Sequence, residues 1–205
     1  MWGIIGAIVG VLVIGRVASA AISAGGGGGG AGKPSAGPKY KITVPKSLVG
    51  GEYTLAENIS QQADSQVPHD GANSHGVRTV GGQYTAGTKT LVMIGMYGTI
   101  DDADTSVDHM IEGMTNAPGA EVGVPEKKFT PSGGGKPLTC GVDMKNQAGQ
   151  KVTFPFCVWG TSSTTANVAL VDAADPAKDP KSIDLQALAD TASKIRDEVQ
   201  VPVSG

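Results

Sequence analysis

The chain has 205 residues, 40% hydrophobic but only 4% aromatic, a size that holds one domain with a modest core. Its formal charge of -3 supplies no basic field for a phosphate backbone and excludes the electrostatic footprint of a nucleic-acid-binding protein. With 31 Gly and 12 Pro, the folded part is expected to be rich in loops and to rely on a covalent staple.

"WGIIGAIVGVLVIGRVASAAISA", Trp2 to Ala24, is the most apolar stretch. As a helix it measures roughly 34 Å, enough to span a bilayer core of ~30 Å. Residues 1–24 therefore read as a transmembrane anchor whose partner is the lipid bilayer, with Arg16 snorkelling near one end. The second reading is a cleaved signal peptide, because Ala18-Ser19-Ala20 has the small-x-small cleavage pattern, although no Lys or Arg precedes the apolar run. Gly6 and Gly10 form a G-x-x-x-G, a spacing that lets two membrane helices approach, which makes them helix-packing candidates. Arg16, Lys33, Lys39, Lys41 and Lys46 all lie at or beyond the C-terminal end of the segment. Positive charge alone thus favours a cytoplasmic domain. The cysteines argue the reverse, and a start upstream of Met1 that adds a basic flank reconciles the two.

Residues 25–38, "GGGGGGAGKPSAGP", contain most of a phosphate-binding loop: Gly27, Gly32 and Lys33 match G-x-x-x-x-G-K. Pro34 stands where that motif needs a hydroxyl for magnesium, and it also lacks an N–H for a phosphate. No nucleotide is expected. The segment reads as a flexible linker with a root-mean-square reach of about 20 Å, followed by a folded domain over 39–205.

In that domain "KYKITV" alternates Tyr40, Ile42 and Val44 with polar residues and predicts a short strand, a possible sheet edge closed by Pro45. "LAENISQQADSQ" is a weak helix candidate and "VPHDGANSHG" a loop. A strand is expected from Gln83, joined through "YTAGTK" to "TLVMIGMY", an apolar run suited to a sheet interior, where Gly95 and the Gly98 that follows it mark a close approach. "DDADTSVDHMIEGM" predicts a helix, with anionic Asp101, Asp102 and Asp104 at its N-terminus and Val107, Met110, Ile111 and Met114 on one stripe. "LTCGVDMKN", "KVTFPFCVWG" and "TANVALVDA" predict three strands. A last helix from about Ser182 aligns Leu185, Leu188, Ala192, Ile195 and Val199 and stops at Pro202. The class is α+β: an antiparallel β-sheet with helices packed on one face, preceded by the N-terminal transmembrane or signal helix.

A two-residue hairpin tip at Ala148 and Gly149 sets Gln147 against Gln150, and counting outward sets Cys140 against Cys157 at a non-hydrogen-bonded pair. The Cα separation there, about 4.5 Å, suits a disulfide. Pro155 falls opposite Val142 at another such pair and costs this hairpin no bond. A persisting Cys140–Cys157 disulfide belongs to an oxidising compartment and places the domain outside the cytoplasm.

Signs of catalysis are sparse. His69, Asp70 and His75 in "HDGANSH" lack a further ligand at a recognisable spacing, and His109 beside Asp108 fits a polar helix face. The hydroxyls of "TSSTTAN" suit a turn, and Asp172, Asp175 and Asp179 lack the Gly and Glu of a calcium loop. No catalytic residue, metal ligand or cofactor is assigned.

The order of parts, with "KITVPKSLVGGEYTL", "LVMIGMYGTIDDADTSVDHMIEGM", "FPFCVWG" and "LADTASKIRDEVQV", resembles a family of uncharacterised actinobacterial, streptomycete-type membrane-anchored proteins. The resemblance runs from about Gly3 to Val201. Members often carry a Pro/Gln-rich cytoplasmic tail, a single membrane helix, a Gly-rich tether and an extracytoplasmic domain with a Cys...CVWG pair; this chain lacks the tail. The resemblance transfers no catalytic residue. The expected function is binding or assembly at the cell envelope by a membrane-tethered extracytoplasmic domain, with an envelope protein or cell-wall partner. The alternatives are an envelope hydrolase or sensor, or a secreted soluble protein after cleavage.

Overall fold

Alternating burial along the central strands organises the molecule. A computed structural model describes residues 39–203 except 148; segment 1–24, with Gly6 and Gly10, and linker 25–38 lie outside the described residues. In chain order the elements are β1 (Tyr40–Ile42), β2 (Ser47–Leu48), β3 (Tyr53–Asn58), α1 (Ser60–Asp64), β4 (Ser74–Ala86), β5 (Lys89–Ile100), α2 (Ala103–Thr115), β6 (Ala120–Phe129), β7 (Leu138–Gln147), β8 (Gln150–Gly160), β9 (Thr164–Asp172), a 3-10 turn Pro180–Ser182, α3 (Leu185–Val199) and β10 (Gln200–Pro202). Strands β2 to β9 form one eight-stranded sheet in the order β2-β3-β4-β5-β9-β8-β7-β6. Every pairing is antiparallel. The class is thus α+β, built on a large antiparallel sheet.

The helices do not share a face, which corrects the expectation that they would. In β8, Cys157 and Trp159 join Leu188, Ala192, Ile195 and Val199 of α3 in one cluster. The intervening Phe156 and Val158 join Val107 and Ile111 of α2 in another. Successive strand residues point to opposite sides, so α2 and α3 cover opposite faces. The reason lies in the sheet's centre: all residues from Val152 to Trp159 are buried, and a strand apolar on both sides needs cover on both. Ile59, before α1, packs with Val92 and Ile94 on the α2 side.

The α3 side is completed by a two-stranded ribbon in which β1 pairs with β10. Ile42 of β1 presses onto Gly95 of β5, where a Cβ would stand 2.6 Å from the Ile42 Cδ1. The close approach expected at Gly95 is therefore real, and a glycine makes room for it. Strand β1 is not an edge of the main sheet. Helix α3 ends at Val199, and the chain continues as β10 through Pro202, so Pro202 does not terminate the helix.

Three further boundaries differ from the sequence reading. "LAEN" extends strand β3, and only Ser60–Asp64 is helical. Strand β4 begins at Ser74 rather than Gln83, its pattern broken by a bulge between His75 and Arg78 and by Gly81 and Gly82. Side-chain cover by Ile59 at Gly81 and by Val44 and Tyr84 at Gly82 fills the space a Cβ would take. Helix α3 begins at Leu185 rather than at about Ser182, and Asp184 caps it, its carboxylate accepting from the Ala187 N–H. Strand β6, unmarked in the sequence, carries two register shifts and Pro125, which erase the two-residue alternation.

Candidate functional site

The hairpin β7–β8 has the register read from the sequence: Gln147 opposes Gln150, Val142 opposes Pro155 and Cys140 opposes Cys157. The two cysteines form a disulfide with a Cα separation of 4.0 Å, and no part of either residue is exposed. Gly149 takes φ +84° at the tip, a conformation glycine adopts without a Cβ clash; Ala148 lies outside the described residues. Pro155 also sets where β8 parts from β9. The β8–β9 ladder stops at Phe156 and Ala169, next to a residue with no N–H to donate. Two residues before Pro155, the Thr153 N–H donates to the Pro176 carbonyl at 2.7 Å and its hydroxyl to the Lys178 carbonyl at 2.7 Å. The loop after β9 thereby replaces the missing strand partner.

Beyond the disulfide, β7 turns one face polar. Asp143, 3% exposed, and Lys145, 8% exposed, point to the same side of the sheet as α2. Phe154 and Val152 stand opposite them on β8. Burial lifts the Asp143 carboxyl to about 6, with the Lys145 charge opposing and the Glu126 charge adding to the rise. Burial likewise lowers the Lys145 ammonium, which the Asp143 charge partly restores. Oδ1 of Asp143 has no hydrogen-bond partner. This is the most perturbed acid–base pair among the described residues, and sequence reasoning missed it. "GVDMKN" alternates, but its face assignment needs the knowledge that both sides of the sheet are covered.

The "HDGANSH" residues are brought near one another but employed separately. His69 Nε2 lies 3.3 Å from Asp64 Oδ2, which also receives Arg78. His75 Nε2 lies 3.1 Å from Asp101 Oδ2. Asp70 accepts the Gly76 N–H at 2.8 Å. The Thr79 N–H donates to Asp64 at 2.7 Å and chiefly holds that carboxyl below its ordinary value. Among the described residues no three His, Cys, Asp or Glu side chains form a metal-type group. Asp108 and His109 are exposed on α2.

The "TSSTTAN" hydroxyls form a clamp. Ser163 Oγ accepts the Tyr40 N–H at 3.0 Å, while its carbonyl accepts the Gly98 N–H at 3.0 Å. Thr164 takes the Gln200 amide, and Thr165 hydrogen bonds Ser106 of α2 at 2.7 Å. One turn thus ties the first strand, the last strand, β5 and α2 together. Asp172 accepts the Thr88 hydroxyl and the Ala174 N–H, which hold its carboxyl low, and Asp179 accepts the Lys181 N–H. These contacts organise loops rather than a calcium shell. A shallow, open depression of about 330 Å³ lies beside α1, lined by Glu57, Asn58, Ile59, Gln61, Gln62 and Ser65.

Comparison with family models, curated proteins and solved structures returns no match for this chain.

Proposed function

We propose that the chain is a membrane-tethered extracytoplasmic domain of the cell envelope, held at the bilayer by residues 1–24 through linker 25–38, that acts by binding or assembly. The observation that carries this reading is the fully buried Cys140–Cys157 disulfide, a bond that persists in oxidising compartments. The resemblance to streptomycete-type anchored proteins supports the same order of anchor, tether and stapled domain.

The chain's path gives the proposal a direction. The Lys39 carbonyl accepts the Val203 N–H at 2.9 Å, so entry and exit of the domain are adjacent. Tyr40 is fastened to Ser163, at the end of the sheet bearing the Thr161–Thr164 turn. The β4–β5 tip at Gly87 and Thr88, the β7–β8 tip and the loop after Asp172 stand at the other end. A tether of about 20 Å reach holds the first pole near the membrane and presents the second to an envelope protein or wall polymer. The hydrolase alternative has less support, since His69, His75 and their carboxylates are engaged in separate pairs.

N-terminal sequencing of the native protein, together with membrane partitioning in alkaline carbonate, tests the tether. Retained residues 1–24 in a carbonate-resistant membrane fraction are expected. A soluble protein with a mature N-terminus at Ala21 overturns the tethered reading in favour of secretion.

A further inference from the structure

Asp143 is a carboxyl whose charge loses more to burial than its neighbours restore. It is 3% exposed and one of its oxygens has no hydrogen-bond donor. Its cross-strand neighbours are Phe154 on β8 and Val122 on β6. Phe154 packs with Val152 and with Val171 of β9 in an apolar cluster. The charged groups facing it are Lys145, two residues along the same strand, and Glu126 of β6. Glu121 and Lys151 pair with each other at 2.8 Å at positions of the opposite parity, on the α3 side. Burial opposes ionisation most strongly and the Glu126 charge adds to it, and together they outweigh the Lys145 charge that favours ionisation.

The strand beside Asp143 is the one best able to give way. β6 is an edge strand with register shifts between Val122 and Val124 and between Val124 and Lys127, and none of its residues is fully buried. Bulges and Pro125 leave it with an interrupted ladder. An ionised carboxylate under such a strand gains hydration when the strand lifts, and that gain is absent when the carboxyl is neutral.

We propose that Asp143, buried with an unpartnered oxygen beneath an irregular edge strand, is a proton-binding switch whose ionisation loosens the β6–β7 edge of the sheet. The proton exchanges directly with solvent and needs no co-reactant. The switch depends on the residues around Asp143 and not on where the domain is located, so it stands or falls separately from the tethered reading.

The test is hydrogen exchange of β6 and β7 amides in the full chain, corrected for intrinsic chemistry, alongside an NMR titration of the Asp143 carboxyl carbon. Opening of β6 is expected to be about tenfold more frequent at pH 7.5 than at pH 5, as follows when opening returns an acid raised to about 6 to its ordinary 3.8. Asp143→Asn, which imitates the neutral acid, is expected to hold β6 in its protected state at both pH values. Glu126→Gln is expected to move the carboxyl midpoint downward with the fold intact. A midpoint at the ordinary aspartate value overturns the proposal, as does an unchanged pH dependence of β6 exchange in Asp143→Asn.

Discussion

A buried carboxyl titrates against the fold. The folded-state value of Asp143, about 6, exceeds its ordinary 3.8, so between those values the native state holds a proton that the unfolded chain has released. Its neutral form contributes stability that is fully present below about pH 4 and lost as pH rises through 6. Replacing Asp143 by Asn is expected to raise stability at pH 7.5 by roughly 2 to 3 kcal/mol and to do little at pH 4. Urea unfolding at the two pH values measures both. A second residue-scale prediction concerns Gly95, whose virtual Cβ lies 2.6 Å from Ile42 and 3.0 Å from the Ala166 Cβ. Gly95→Ala is expected to cost about 1–3 kcal/mol by overpacking. Ile42→Ala in that background relieves part of the cost, so a double-mutant cycle returns a coupling well beyond simple addition. The two sites differ in how they read from sequence. Gly95 stood out, with Gly98, as a glycine interrupting an apolar run, whereas Asp143 sits in an ordinary polar alternation that becomes unusual only once its face is buried.

At the scale of elements, the β7–β8 hairpin was fully legible, because a turn-forming glycine, a proline and two cysteines all satisfy one register. Cys140 and Cys157 are 17 positions apart, and losing their bond is expected to cost roughly 3 kcal/mol in the chain-entropy model. A Cys140→Ala, Cys157→Ala double variant followed by chemical denaturation checks this. Both sulfurs are inaccessible in the fold, so native protein is expected to resist a thiol reductant until denaturant is added. Helices α2 and α3 were legible for a related reason: their apolar stripes have helical period, and Asp102 and Asp184 each cap an N-terminus. Strand β6 was hidden by its bulges, and β10 by an expectation that Pro202 ended a helix. Proline in a short ribbon strand loses little, since β10 pairs on one side with β1.

At the scale of the whole molecule, two meanders, β2 to β5 and β6 to β9, meet where β5 pairs with β9. The chain crosses from the first to the far edge through α2 on one face, and α3 follows β9 onto the other. The order of predicted strands and helices announced the class but not this layering: the apolar run of β8 is buried on both sides, and a single covering layer would have left one side wet. The termini of the described domain meet at the Ser163 clamp, and the proposed tether therefore pulls on β1 where it is fastened to the sheet, to β10 and to the Thr161–Thr164 turn. The central claim, that this is an oxidised domain held outside the cytoplasm, turns on the state of two sulfurs in the native cell. Acid-quenched cells are denatured and treated with a maleimide of added mass, with and without prior reduction, and the band shift is read. The account predicts no shift without reduction and a two-thiol shift after it; labelling of both cysteines without reductant would contradict it.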